Sequence, residues 1–425
     1  MLNKPWLKTD NAVLLLLFLF PLAGTFVRHW ISGIFALLFL FSLYYLFARR
    51  GDKLLREEKV WLWVLFAYFA VFIITALANG WSKEQTTWVG LELRFLAIIP
   101  IYLMLRQIPL AGRALLYGLI AGVIMLGIWG IYELYLMDGA LYEKLTPYSQ
   151  KMRRTNGIYG PLFLGPVGIL MIALLLPAMQ VMEMTLRRKL VLSLFILLGL
   201  YAVANSWARS AYLAFVVLTM MVLFYYNRNR KFIVGLFVVV IATAGILATT
   251  SKVKQRIITA EDQFISYFTE KDPAHEKKLA NSSIGIRLEM WRGSWYLFRE
   301  SPLFGVGRGN YNQAMQKYID KGMVHPAVNN HGHPHSAYME TLASRGILGM
   351  VVMLLLLYYP LYVFFKTRKQ SPHTALMGMI HIIAISIFSI TEAATFIKGN
   401  FVAINLLFLA VFYSWHLRET ARAEA

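Results

Sequence analysis

Residues 346–365 read GILGMVVMLLLLYYPLYVFF and contain no charged side chain. An apolar run of about 20 residues is long enough for a helix to cross the hydrocarbon core of a bilayer. Similar runs recur along the whole chain of 425 residues, which is 58% hydrophobic and only 15% charged. A soluble domain has about a quarter of its residues charged, so this composition predicts a membrane protein.

Twelve such runs predict twelve transmembrane helices, because their apolar residues do not alternate as those of a membrane β-barrel would. The predicted spans are residues 11–27, 30–48, 60–79, 88–105, 111–136, 160–183, 189–205, 209–227, 232–250, 346–365, 374–397 and 400–417. We therefore predict an all-α polytopic membrane protein with one large, mainly helical loop domain outside the cytoplasm.

The spans divide the chain into three predicted parts. Residues 1–250 form an N-terminal bundle of nine spans with short loops and a longer outer loop at 137–160. Residues 251–345 form the loop domain, and residues 346–425 contribute three spans and a tail.

The distribution of Lys and Arg predicts the orientation. Twenty of these residues fall on the face that includes the N-terminus, and the four very short turns of the opposite face hold four. Those four are Arg28, Lys83, Arg209 and Lys398. Because cytoplasmic loops are enriched in basic residues, both termini are predicted to be cytoplasmic. The same bias accounts for most of the net charge of +20, so we expect no nucleic-acid partner.

Residues 284–300, IGIRLEMWRGSWYLFRE, predict a helix in the loop domain. Its apolar stripe would comprise Ile284, Leu288, Trp291, Trp295 and Phe298, which recur at helical spacing. Such a stripe suits a helix at a membrane surface, and it equally suits a helix packed on its own domain. The two interpretations are compatible.

Three further features could carry chemistry on the outer side. Arg209 lies in a short turn between two spans, where an arginine either faces an anion or extends to lipid headgroups. Arg287 is a second candidate, unless it is a solvated residue of the helix surface. Three histidines would project to one side of an extended segment: His331, His333 and His335. They could include a general base, form a metal site, or be ordinary loop histidines. The chain has no cysteine, which excludes thiolate ligands.

An ordered set of motifs resembles the O-antigen ligase/polymerase superfamily. The motifs are SWARSA at 206–211, Arg287-x3-Trp291 followed by PLFGVG at 302–307, HSxY at 335–338, and RGILG at 345–349. Each motif alone is weak, but their order, spacing and membrane context match, and the resemblance covers most of the chain.

The resemblance implies a metal-independent, inverting glycosyl transfer in the bacterial periplasm, without a cofactor. An O-antigen ligase transfers the glycan of undecaprenyl pyrophosphate-linked O-antigen to the lipid A–core oligosaccharide, within the inner membrane. By position, Arg209 and Arg287 would bind the pyrophosphate, and His335 would be the general base or at least orient the acceptor hydroxyl. Residues expected to bind substrate are Arg153, Arg154, Arg292, His333 and Tyr338.

Other activities use the same residues. An O-antigen polymerase and a protein O-oligosaccharyltransferase of the same superfamily are the alternatives, and a transporter of lipid-linked glycans is a third. The basic residues favour a phosphate-rich acceptor and hence the ligase: residues 251–345 hold 13 basic and 9 acidic residues. A transporter would instead need charged residues buried in the middle of its spans.

Overall fold

The computed structural model describes most of the chain. It covers residues 5–48 except Thr25 and Arg28, residues 53–137, residues 154–226, and residues 282–424 except Ser283, with Ile265 and Tyr267. The predicted ninth span at 232–250, the charged segment 251–280 apart from those two residues, and Arg153 lie outside the described residues.

Every regular element of the described residues is helical, which confirms the all-α prediction. The α-helices are α1 (Pro5–Gly24), α2 (Trp30–Ala48), α3 (Arg56–Ala78), α4 (Lys83–Leu105), α5 (Ala111–Ile131), α6 (Pro161–Val181), α7 (Leu186–Asn205), α8 (Arg209–Tyr226), α9 (Gly285–Glu300), α10 (Tyr311–Asp320), α11 (Ala337–Lys366), α12 (Pro372–Thr391), α13 (Ala394–Ile397) and α14 (Gly399–Glu424). A π-helical turn, Tyr132–Leu136, continues α5, and a 3-10 turn, Pro326–Asn330, follows α10.

Eleven of the twelve predicted spans coincide with these helices. Within the described residues, nine helices are long and apolar enough to cross a membrane: α2, α3, α4, α5 with its π-helical turn, α6, α8, α11, α12 and α14. Helix α1 contains a shorter apolar stretch, Thr9–Leu22. Helices α6 and α14 are apolar on all sides and are buried over 89% and 94% of their spans, so they form the centre of the bundle.

Helix α11 starts earlier than the predicted span and bends where that span was expected to begin. Gly346 has φ 61° and ψ −156°, a backbone conformation that glycine adopts without a steric penalty. The turn that follows α9 packs against this bend: the Ile347 amide donates to the Pro302 carbonyl (2.8 Å), and the Val306 amide donates to the Ala343 carbonyl (2.9 Å). A Cβ on Gly346 would lie 2.5 Å from the Leu303 carbonyl carbon. The bend therefore attaches the loop domain to the bundle.

Helix α9 forms as predicted, but its buried face is not the predicted stripe. Ile286, Met290 and Leu297 are buried in a small core that α9 shares with α10 and the start of α11, whereas Trp295 is 48% exposed. The ring of Trp295 packs on Phe298, with centroids 5.3 Å apart, outside that core. The buried face of α9 is the one that contains the small residues Gly293 and Ser294, because Gly293 allows Met315 to approach closely.

Candidate active site

The segment before α11 holds His335 in a fixed position. Its backbone is left-handed, with φ 49°, a conformation that is uncommon for residues other than glycine and often found at functional sites. On one side the Trp291 indole donates to the Pro334 carbonyl at 2.9 Å. On the other, Ser336 caps α11 by accepting from the Met339 amide, and its hydroxyl donates to the Ser389 carbonyl at 3.3 Å. Helices α9, α11 and α12 thus all position this histidine.

The imidazole of His335 faces Glu392, at the end of α12. The distance from His335 Nδ1 to Glu392 Oε1 is 3.8 Å, and the two side chains are 20% and 6% exposed. Burial tends to raise the pKa of Glu392, but His335 and the Ala394 amide outweigh burial and hold that pKa below its usual range. A carboxylate at Nδ1 leaves Nε2 as the nitrogen available to a substrate.

The other two histidines of the segment lie beside His335, as predicted, although bends rather than an extended strand bring them there. Ring centroids are 4.5 Å apart for His333 and His335 and 5.5 Å apart for His331 and His335. Burial, reinforced by the charge of His335, lowers the pKa of His333 to about 4, and it lowers the pKa of His331 as well. Both side chains are therefore neutral at physiological pH.

Arg287 projects toward this group from the first turn of α9. Burial lowers the pKa of its guanidinium, the charge of Glu392 opposes that effect, and the charge of Arg209 adds to it. The guanidinium stays charged, because arginine does not lose its proton in proteins. It forms no hydrogen bond or ion pair with any described residue, and an anion would relieve its repulsion from Arg209.

Arg209 is exposed at the first position of α8, after a tight turn. Trp207 has φ 59°, and the Ala208 amide donates to the Ser206 hydroxyl at 3.3 Å. Gly165 of α6 allows this approach, since a Cβ there would lie 2.6 Å from both Ala208 Cβ and Ser206 Oγ. The turn thus presents Arg209 at the end of the bundle.

A second backbone segment, residues 154–157, is held against this turn. The Thr155 amide donates to the Asn205 carbonyl at 3.0 Å. The Glu133 carboxylate accepts from the amides of Asn156 (2.9 Å) and Gly157 (3.2 Å). Glu133 lies in the π-helical turn after α5, a distortion that often accompanies functional sites. Arg154, whose Nε donates to Asn156 Oδ1 at 3.1 Å, is thereby brought next to the turn that carries Arg209.

Two other predicted substrate-binding residues already have protein partners. Arg292 donates to Glu289 (2.8 Å) and to the Met323 carbonyl (2.6 Å). The Tyr338 hydroxyl donates to the Ser386 carbonyl at 3.3 Å and lies 3.4 Å from the Tyr358 hydroxyl. The predicted contact with substrate would therefore have to use their remaining capacity, which is Nη1 and Nε of Arg292 and a lone pair of the Tyr338 hydroxyl.

Sequence reasoning missed two charged residues of the site. Glu392 is adjacent to His335 in space and 57 positions away in sequence, and the charge of Lys398 acts on His333. An acidic residue at the end of an otherwise apolar span was a usable signal for Glu392, since burial of a carboxylate requires a partner.

Comparison with known proteins bears on this same region. Residues 192–354 match a family model described as O-Antigen ligase, which confirms the resemblance indicated by the motifs. The match includes Arg209, Arg287 and His335. A protein of Haemophilus influenzae (strain ATCC 51907 / DSM 11121 / KW20 / Rd), described as an uncharacterized protein, is 22% identical over 357 residues. These cover 80% of this chain and 82% of the relative.

Proposed function

We propose that this protein is an O-antigen ligase, an inverting glycosyltransferase of the bacterial inner membrane that acts on its periplasmic side. The donor is a glycan on undecaprenyl pyrophosphate, and the acceptor is the lipid A–core oligosaccharide. The observation that carries the proposal is a combination of three residues. Arg209 and Arg287 form no hydrogen bond or ion pair with any described residue, and His335 has the Glu392 carboxylate beside its Nδ1.

The two arginines suit a pyrophosphate leaving group. Guanidinium groups bind phosphate oxygens through paired, charge-assisted hydrogen bonds. Negative charge on the pyrophosphate grows as the bond from the anomeric carbon to the phosphate oxygen breaks, so fixed cations stabilise the transition state more than the ground state. Arg287 and Arg209 supply this charge, and the mechanism requires no metal ion.

His335 suits the acceptor side of the reaction. An acceptor hydroxyl attacks the anomeric carbon from the face opposite to the pyrophosphate, which inverts the configuration there. The hydroxyl proton passes to Nε2 of His335, and Glu392 at Nδ1 orients the ring and favours the resulting imidazolium. The new glycosidic bond then replaces the bond to the pyrophosphate.

Reconstitution tests the proposal directly. Purified protein would be incorporated into liposomes with lipid-linked O-antigen and lipid A–core, in the presence of EDTA. We expect lipopolysaccharide bearing the full glycan. Lengthening of the donor without use of the acceptor would instead show a polymerase, and transfer to a protein acceptor would show an oligosaccharyltransferase. Movement of the donor across the membrane without transfer would identify a transporter.

A further inference from the structure

A cavity of about 370 Å³ lies between the start of α4 and the loop domain. Thr87 and Trp88 of α4 form one side, and Tyr311 and Asn312 of α10 form another. Gly332, between two of the site histidines in sequence, and Glu340, on the first turn of α11, complete it. Its size lies at the lower end of the range for small-molecule sites, roughly 300–1,000 Å³.

Two acceptors that line this cavity, the Glu340 carboxylate and Asn312 Oδ1, have no hydrogen-bond partner among the described residues. Glu340 is 6% exposed, and neither oxygen of its carboxylate forms a hydrogen bond with a described residue. The guanidinium groups of Arg308 and Arg345 act on it electrostatically, but they donate to Glu92 instead. Asn312 donates through Nδ2 to the Asn329 carbonyl, while its Oδ1 is buried without a partner. Buried acceptors of this kind are costly unless a ligand supplies donors.

The charged residues that line the cavity disfavour a phosphate ligand. Glu84 and Glu340 are acidic and Lys83 is the basic residue among them, while the nearby Arg308 and Arg345 donate to Glu92. Sugar hydroxyls, in contrast, donate to carboxylate and amide oxygens, and the apolar edge of a sugar ring packs against aromatic surface such as Trp88.

We propose that this cavity binds a sugar ring of the glycan acceptor, with Glu340 and Asn312 accepting its hydroxyls beside the aromatic ring of Trp88. The identity of the acceptor rests on the proposed function, whereas the binding of a sugar does not. The two substrates then bind at sites of opposite charge. The pyrophosphate binds at Arg209 and Arg287, and the acceptor sugar binds beside the carboxylates of the cavity. Gly332 lines the cavity and precedes His335 by three residues, so the segment that carries His335 borders the cavity.

Two variants test the cavity and two control for them. Thr87→Trp would fill the cavity from an exposed position of α4, and Asn312→Ala would remove one acceptor. Leu93→Trp places the same bulk elsewhere on α4, at an exposed leucine. Gln313→Ala removes an exposed amide next to Asn312 that does not line the cavity.

The first measurement is binding of core oligosaccharide, released from lipopolysaccharide by mild acid, to the full-length protein in nanodiscs. We expect Thr87→Trp to abolish binding, and Asn312→Ala to weaken it roughly fivefold to tenfold, as the loss of one hydrogen bond predicts. Both controls should bind as the wild type does. Inorganic pyrophosphate should not displace the oligosaccharide; displacement, or unchanged binding by Thr87→Trp, would overturn the proposal.

The second measurement separates this proposal from the proposed function. In the reconstituted reaction, Thr87→Trp and Asn312→Ala should raise the KM for the acceptor and leave the KM for the donor unchanged. An unchanged acceptor KM in an active enzyme refutes the cavity while the ligase function stands. If wild-type protein transfers no glycan yet binds the oligosaccharide through Thr87-dependent contacts, the cavity stands and the ligase function fails.

Discussion

The protein contains two groups that each combine two arginines with a glutamate, and they use these residues in opposite ways. In the first, the buried carboxylate of Glu92 accepts from both Arg308 and Arg345. The guanidinium groups also lie over aromatic rings, with Arg345 4.6 Å from the centroid of Tyr68 and Arg308 4.7 Å from that of Trp88. This group joins α4, α11 and the turn that follows α9, and both of its arginines form ion pairs within the protein.

In the second group, Arg209 and Arg287 have no partner among the described residues, and Glu392 faces His335 instead of either arginine. Because an arginine without a counter-charge is unfavourable near a membrane, the arrangement is stable only if substrate or solvent supplies that charge. We therefore infer that the paired charges of the first group stabilise the fold, and we propose that the unpaired arginines of the second bind substrate.

The largest expected effect is on transfer. His335→Ala and Arg287→Ala should each lower the rate of glycan transfer by roughly 10²–10⁴-fold, because each removes a group that acts in the transition state. The measurement is product formation in reconstituted liposomes, with expression and melting temperature determined in parallel. Arg299→Ala, an exposed arginine at the other end of α9, is the matched control. Near-normal transfer by either variant would show that the substituted residue does not have the role assigned to it.

Glu92→Gln should lower stability and leave transfer intact, in contrast to His335→Ala and Arg287→Ala. It removes the carboxylate that accepts from the buried guanidinium groups of Arg308 and Arg345, a type of change that costs about 3–5 kcal/mol. We expect a clearly lower melting temperature in detergent, with transfer retained at temperatures where the protein stays folded. Glu84→Gln, at an exposed position of the same helix, should leave the melting temperature unchanged. Loss of transfer by a fully folded Glu92→Gln variant would contradict the separation of the two groups.

Glu392→Gln should give an intermediate effect on transfer. Loss of a charged group that orients a functional histidine typically costs roughly 10–100-fold, so kcat should fall while the KM for either substrate changes little. Glu392→Asp should recover part of the rate, because it retains the carboxylate. If Glu392 only supports the fold, both variants would lower the melting temperature and neither would change kcat in folded protein.

The difference between the two groups also explains what sequence could predict. Apolar runs of about 20 residues gave the helical membrane fold, because the length of a span follows from the thickness of the bilayer. Motif order singled out Arg209, Arg287 and His335 as candidate site residues. The sequence does not show the partners of charged residues. Glu92 and Glu392 both lie near the end of a predicted span, and only tertiary packing shows that Glu92 pairs with arginines and that Glu392 faces a histidine.

The predicted stripe of α9 illustrates the same limit. Ile284, Leu288, Trp291, Trp295 and Phe298 have the correct spacing for a buried face, yet the helix is rotated so that Gly293 meets Met315. A prediction from hydrophobic spacing uses the positions of large apolar side chains, whereas close packing between helices favours small residues at the contact. Trp291 is used for its indole N–H, which holds the segment of His335.

The smallest expected effect is the dependence of stability on pH. The pKa of His333 is about 4 in the folded protein and about 6.5 in an unfolded chain. Between these values the unfolded state binds more protons, so stability falls as pH decreases from about 6.5 toward 4. The folded-state pKa of His331 is also lowered and acts in the same direction. Melting temperature in detergent should therefore decrease by a few degrees between pH 7 and pH 5.

The variant His333→Gln should reduce this slope, because glutamine cannot take up a proton and retains polar atoms at the same place. His325→Gln is the control, since His325 belongs to the same loop domain but lies outside the group of three rings. An equal slope in wild type and His333→Gln would show that His333 is equally accessible to protons in both states. In that case solvent would screen the charges around Arg209, Arg287 and His335. This group would then differ from the buried group around Glu92 in solvent exposure as well as in charge pairing.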